Sequence, residues 1–426
     1  MEDILALEHG NADPGPLSRY QPLIGVRATD RLLKKARSLS TLRVLHINST
    51  RQGGGVAEIL SSLIPLMNDV GIPTEWLVIE GTPEFFAFTK DIHNGLQGEA
   101  ILPSPADAAL HLEVALANIG AMRLDDFDVV IVHDPQPLPL VLQRGDQVWI
   151  WCCHVDLSEP APAVWNYLAS LVDRYDSAVF SLPEYAQPLA IPQQFIMPAI
   201  DPFSVINQEM SRGQSLMHLD RYGIPQDLPL IVQAGRFDKW KDPEGVIDAF
   251  CIATQDTPAT LVLAGNGAAD DPEGPTLYES VCSRSGKRIL VIKADDQFLV
   301  NALQRRATVV LQKSLREGFG LTVSEAMWKE RAVIGGAVGG IRHQIEHGYS
   351  GFLVSNIEEA AQNIAVLLRD RALRRNTGRR AQQRVRRRFL MTRLLEDWLD
   401  LIASLTLQHP VGIARAGTSE RCVALG

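Results

Sequence analysis

Glu317 and Glu325 stand eight positions apart in the run K-S-L-R-E-G-F-G-L-T-V-S-E, Lys313 to Glu325, with Gly318 and Gly320 between them. An apolar stretch, Ala307 to Gln312, precedes this run and has the length and β-branched content of a buried strand. A helical pattern follows through Ala326, Met327 and Trp328. A strand, a glycine turn and a helix start aim backbone N–H groups and the positive end of a helix dipole into one crevice. At about 3.6 residues per turn the spacing sets Glu325 roughly two turns beyond Glu317, facing that crevice. An anion held on the amides, with a carboxylate on each side, suits a sugar nucleotide. The amides take the diphosphate, one carboxylate the ribose hydroxyls and the other the hexose hydroxyls. The same spacing also fits a plain βα turn with two solvated glutamates, so other segments must discriminate.

Arg236 and Lys241 are the next candidates. They follow a strand-like run, Leu228 to Gly235, in the segment R-F-D-K-W-K-D-P-E, where Pro243 behind an Asp242 cap starts a helix. Two cations at a helix N-terminus would neutralise a diphosphate both when bound and as it leaves. Nearer the N-terminus, Gly53, Gly54 and Gly55 follow the strand-like run Arg43 to Ser49 and open a helix through about Met67. Such a triple glycine lets the backbone approach a bound group closely. It is not G-x-G-x-x-G, and Glu80 is the one acid at a suitable distance, so a nicotinamide site is a weak alternative. Glu84-Phe85-Phe86, Thr89-Lys90 and His93-Asn94 set aromatic faces beside polar groups, which fits either a sugar ring or a loop tethered to the core.

These residues need a scaffold, and the chain supplies alternating strands and helices. Asp128 to Asp134, Gln147 to Asp156 and Ser177 to Pro183 read as buried strands tipped with His133/Asp134, His154/Asp156 and Glu184/Tyr185. Open α/β sheets bind their ligands at such carboxyl ends. The pattern breaks around Phe195 to Pro202, a polar helix follows over Asn207 to Tyr222, and strands resume. Further strands are expected at Thr260 to Gly265, Arg288 to Ala294, Val309 to Gln312 and Ala332 to Gly335. Val338-Gly339-Gly340 and Gly351 to Val354 are expected to close the sheet. The segment Gly265 to Gly274 reads as a surface loop, Thr29 to Ser38 as a helix, and the chain beyond about His409 as loose. The fold expected is α/β, with two Rossmann-like, doubly wound domains facing a central cleft. The divisions are 1–203, 204–385 and a final 386–426 whose helix crosses back to the first domain.

The totals narrow the function. A length of 426 residues suits two domains, and 46% hydrophobic with 21% charged residues is ordinary for a globular protein. A formal charge of −9 argues against a nucleic-acid partner, and the arginines of 369–393 read as a solvated helix face. No apolar stretch approaches the roughly 20 residues of a membrane span, and the acidic start lacks signal-peptide order. The five cysteines, with Cys152 and Cys153 adjacent, show no zinc-ligand spacing and read as reduced thiols of a cytoplasmic protein.

The chain resembles the retaining GT-B glycosyltransferases of family 4, on the second-domain Arg-x-x-x-x-Lys and the paired glutamates. Within them, N-S-T-x-x-G-G-G-V-A-E-I-L, W-L-V-I-E-G, V-H-D-P-Q-P, C-H-V-D-L-S and R-E-G-F-G-L-T-V-S-E-A-M-W-K are similar to the trehalose-forming synthases, over roughly residues 40 to 400. Retaining trehalose phosphorylases are close relatives. The resemblance implies that Arg236 and Lys241 hold the diphosphate, Glu325 the ribose and Glu317 the donor glucose. The backbone at Phe319, Gly320 and Leu321 would also meet the donor, and Gly53 to Gly55 would close over it. His154 would lie near the donor hexose, with Asp134 and Asp156 orienting the acceptor and Glu84 a further acceptor ligand. It implies transfer from a nucleoside-diphosphate glucose to glucose without a protein-bound metal, Mg2+ acting at most as a stimulant, and it leaves room for a homodimer. The chain departs from the family pattern at Gly235 before R-F-D, at Ala199 in P-A-I-D-P, and at Cys152-Cys153, which is less polar than expected beside an acceptor. Three readings stand: a trehalose-forming glucosyltransferase, a trehalose phosphorylase, and a binding protein of the same shape without turnover.

Overall fold

The computed structural model describes residues 15–265 and 274–408, so most of the loop expected at Gly265 to Gly274 and the tail beyond His409 lie outside the described residues. The first sheet contains β1 (Val44–Asn48), β2 (Thr74–Val78), β3 (Val129–His133), β4 (Val148–Cys153), β5 (Ser177–Phe180) and β6 (Gln193–Phe195). The second contains β7 (Leu230–Ala234), β8 (Thr260–Gly265), β9 (Ile289–Lys293), β10 (Val309–Gln312), β11 (Ala332–Gly336) and β12 (Phe352–Val354). All paired strands are parallel, in the orders β2-β1-β3-β4-β5-β6 and β12-β11-β10-β7-β8-β9. This is the expected pair of doubly wound domains.

Parallel strands covered by helices on both faces become continuous apolar runs, as V-V-I-V in β3 and V-W-I-W in β4 illustrate. Alternation then sends neighbours to opposite cores. Val130, Val132, Trp149 and Trp151 pack on one face with Phe85, Phe88 and Leu168. Val129, Ile131, Val148 and Ile150 pack on the other, with Leu63, Leu17, Tyr20, Leu395 and Ile402. The last two lie in the helix Met391–Gln408, which follows the second domain in sequence yet covers the first sheet. Arg31 to Glu396 (2.7 Å) and Lys35 to Asp400 (2.6 Å) tie that helix to Val26–Arg37, the helix on the segment expected at Thr29 to Ser38.

Three local expectations change. β6 is a strand that was not expected, ending where the pattern breaks at Phe195: Q-Q-F at an exposed sheet edge carries no apolar alternation to read. Gly339 and Gly340 open a short helix, Gly339–Gln344, instead of extending the sheet. A Cβ on Gly339 would sit 1.8 Å from the Glu317 carbonyl oxygen, and one on Gly340 2.4 Å from Phe319 Cα, so both glycines let that helix pack on the Glu317 turn. The aromatic segment after Glu80 is not a loop but the helix Pro83–Leu96, started by the Thr82 hydroxyl accepting from the Phe85 N–H at 3.3 Å.

Candidate active site

In each sheet the chain reverses its winding direction once, between β1 and β3 in the first and between β7 and β10 in the second. Crevices form outside the carboxyl ends of strands at such switch points. β7 runs into Gly235 and Arg236, and β10 runs into Lys313 and Ser314, so the second crevice is lined by the segments singled out from sequence.

The turn after β10 is shaped to hold an anion. Gly320, at φ 82°, is the left-handed residue that starts the helix Leu321–Trp328. The Gln344 amide donates to the Phe319 carbonyl (2.5 Å) and the Gly320 carbonyl (3.2 Å), and Tyr185 Oη donates to the Glu317 and Gly318 carbonyls (3.0 and 2.9 Å). The carbonyls are thereby fixed. The N–H groups of Gly318, Phe319, Gly320 and Leu321 donate to nothing among the described residues. Four unpaired amides at a helix start are a ready anion cradle.

Beside it, Lys241 pairs with the Glu317 carboxylate, which also accepts from Gln312 Nε2 (3.2 Å) and Ser314 Oγ (3.1 Å). Lys241 ends a short 3-10 turn, Lys239–Lys241, capped by Asp238. Asp242 then takes a left-handed conformation (φ 49°), caps the Gly245 N–H at 3.1 Å and pairs with Lys313. Arg236 faces the cleft, and its charge reaches Asp134, Asp238 and His93. Arg236 and Lys241 therefore line one recess with Gly235 and Gln312, and Glu317 borders it through its bonds to Lys241 and Gln312.

Glu325 stands elsewhere. It is buried, accepts from Gln304 Nε2 at 3.2 Å, and lines a cavity of about 260 Å³ with Glu58, Leu321 and the linker residues Ala199 and Asn207. Glu317 and Glu325 therefore do not converge on one point: Glu317 stands at the Lys241 recess, and Glu325 at the cavity that Leu321 also lines. Residues 317–320 precede the helix, so helical periodicity does not relate the two side chains. Burial pushes the Glu325 carboxyl up, opposed by Lys329 and Gln304. Burial likewise holds Lys329 down at about 7 and lifts Glu58 to about 8, the Glu325 charge adding to the rise at Glu58. Lys329 is held in place by Gln304 Oε1 (2.6 Å) and Asn207 Oδ1 (2.7 Å).

The first domain closes over the recess. Gly53 (φ 76°) and Gly54 (φ 95°) lead into the helix Gly55–Asp69, and a Cβ on Gly55 would touch Leu321 Cδ1 at 3.2 Å. A Cβ on Gly318 would meet the His154 carbonyl oxygen at 2.0 Å. The donor-side turn and the end of β4 are thus in direct contact. Asp134, in a left-handed conformation (φ 63°), accepts the His154 N–H at 2.8 Å, and burial pushes its carboxyl up against the pull of His154 and Arg236. Asp156 is buried and accepts from Ser158 N (2.9 Å) and Oγ (2.7 Å), while Arg316 donates to the same Oγ at 3.0 Å. Asp156 thus shapes the loop that meets the Glu317 turn. Glu84 is not brought to this cluster: it is exposed in the first turn of its helix, held by local hydrogen bonds.

Other groups gather here, two of them from the aromatic and polar segment after Glu80. Lys90 and His93, one turn apart on Pro83–Leu96, lie against Asp238 and Arg236; Lys90 Nζ is 3.9 Å from Asp238, and burial holds His93 at about 3. Their spacing marks one helix face, but only the domain closure carries that face to Arg236. Glu58, one turn into the glycine-led helix, could have been found by asking which side chain follows the closing loop.

Two facing Rossmann-like domains with an anion cradle and paired cations define a glycosyltransferase of the GT-B fold. Residues 218–384 match the glycosyl transferases group 1 family, and residues 46–187 match the trehalose synthase N-terminal domain. The trehalose synthase of Thermococcus litoralis is 42% identical over 398 residues, covering 91% of this chain and 97% of that one. That of Rubrobacter xylanophilus is 40% identical over 418 residues, covering 94% and 99%. The trehalose phosphorylase of Grifola frondosa is 28% identical over 401 residues, 81% of this chain but 54% of its own. Among solved structures, Anabaena HepE in complex with UDP-glucose shares the fold, with a TM-score of 0.65 at 16% identity over 85% of this chain and 100% of that one. The chain belongs to the trehalose synthase family.

Proposed function

We propose that this glycosyltransferase moves glucose from a nucleoside-diphosphate glucose to free glucose, forms trehalose and retains the α configuration. The observation that carries the reading is the cradle of unpaired amides at Gly318 to Leu321 beside Arg236 and Lys241. A diphosphate seated there is neutralised in the ground state, and the charge that develops as the glycosidic bond breaks falls on groups already oriented. Glu317, fixed by Lys241, Gln312 and Ser314, has its carboxylate engaged as an acceptor and suits binding of sugar hydroxyls better than nucleophilic attack. The proton of the attacking hydroxyl then passes to the leaving diphosphate on the same face of the sugar.

Glu325 takes the ribose hydroxyls in this reading. Asp134 and His154 border the transferred glucose from the first domain, with Asp156 shaping the acceptor side. Arg236, Lys241 and the amides supply the positive charge that the transfer requires, so no protein-bound metal enters the scheme. Among the described residues no helix is long and apolar enough to cross a membrane. The test is a product assay with purified protein and glucose, run separately with UDP-glucose, ADP-glucose, GDP-glucose and glucose 1-phosphate. Trehalose from a nucleotide donor, with nucleoside diphosphate released in equal amount, is the expected result. Trehalose from glucose 1-phosphate alone would replace the reading with a phosphorylase.

A further inference from the structure

Three imidazoles stand in file behind the sugar site, on neighbouring strands: His46 in β1, His133 ending β3 and His154 just beyond β4. His46 Nδ1 lies 2.9 Å from His133 Nε2, and His133 Nδ1 lies 3.0 Å from His154 Nε2. The rings meet edge to edge and nearly parallel, with centroids 5.2 and 5.3 Å apart and interplanar angles of 16° and 20°. At the inner end, Nε2 of His46 is buried and has no hydrogen-bond partner among the described residues. The Trp398 ring lies beside it at a steep angle of 78°, with centroids 6.0 Å apart, and offers no oxygen or nitrogen acceptor on its face. At the outer end, Nδ1 of His154 receives no hydrogen bond from the described residues and is not sealed from the cleft.

A neutral imidazole carries one N–H, and each ring-to-ring contact needs one donor and one acceptor. The protons must therefore all point inward or all point outward. Inward order seals an N–H of His46 in the core with no acceptor. Outward order seals only a lone pair there, the less costly orphan. Burial favours the neutral form of all three rings, with His46 held at about 3 and the other two also lowered. The Cys152 thiol, 3.4 Å from His154 Nε2, is compatible with outward order, since S–H is a weak donor.

We propose that His46 and His133 are positioning residues that hold His154 as its Nδ1–H tautomer, so that it presents a hydrogen-bond donor to a hydroxyl of the transferred sugar. This rests on the proposed placement of the donor sugar beside His154.

Two variants of one residue separate tautomer control from packing. In His133→Gln the amide nitrogen can donate to His154 while the amide oxygen accepts from His46; His133→Leu fills space but does neither. His133→Leu is expected to lower kcat about 10- to 100-fold with little change in the acceptor KM, and His133→Gln to recover to within a few-fold. Nitrogen-15 NMR of histidine-labelled protein without substrate, assigned with His154→Gln, should show His154 protonated at Nδ1 in the parent and in His133→Gln, and not in His133→Leu. A parent protonated at Nε2, or equal losses in the Gln and Leu variants, would overturn the proposal. So would a zinc titration that shifts these resonances at one equivalent, since His133, Cys152 and His154 bring ligand atoms within 4.8 Å of one another. An Nδ1–H spectrum from protein that transfers no sugar from any donor would sink the functional reading and leave the tautomer assignment standing.

Discussion

Lys241 has two duties that point the same way. It neutralises Glu317 at rest, and in the proposed reading it meets the negative charge that gathers as a diphosphate departs. Lys241→Ala is expected to cost about 2–4 kcal/mol of transition-state stabilisation, read as kcat/KM with the nucleotide donor, while Lys241→Arg loses less. Glu58 offers a pH test. Its carboxyl is lifted to about 8, so the folded chain binds more protons than the unfolded chain between an ordinary glutamate value and about 8. The resulting stability is present at low pH and is lost as pH rises through about 8. Glu58→Gln should therefore melt close to the parent at pH 5 and several degrees above it at pH 9; equal melting at both would remove the buried carboxyl from the account. Cations and glutamates near glycine turns were legible as residue types with evident chemistry. Glu58 was not, because its carboxyl is lifted first by burial and then by the Glu325 charge of the other domain, neither of which its own segment displays.

At the scale of elements, the strands were the most legible, since burial on both faces writes itself as uninterrupted apolar runs. β6 was not, because an edge strand built from Gln193, Gln194 and Phe195 need not look apolar. The distance between Glu317 and Glu325 failed as a guide for another reason: the intervening residues form a left-handed turn at Gly320 before the helix begins. That turn must also fit against the first domain at Gly318. A methyl group there would drive into the His154 carbonyl, so Gly318→Ala is expected to abolish transfer by holding the cleft apart. Because the clash is with the other domain, the melting temperature should fall by no more than a few degrees. Retained transfer in Gly318→Ala would show that the cleft need not close this far.

At the scale of the molecule, the two domains meet through Tyr185 on the Glu317 and Gly318 carbonyls, Arg316 to Glu159 (2.5 Å) and Lys239 to Glu99 (2.8 Å). Partly exposed ion pairs of this kind contribute little stability each, so they would hold the domains together only weakly. The helix Met391–Gln408 contributes far more apolar contact to the first sheet, and so ties the end of the second domain to the first as a fixed strap. The most direct measurement follows glucose labelled with carbon-13 at C1, mixed with the protein and the nucleotide-glucose it accepts, by NMR. The expected product is trehalose labelled in one of its two rings, both anomeric carbons α, with one nucleoside diphosphate released per molecule formed. A β linkage, or release of unlabelled glucose with no labelled disaccharide, would contradict it.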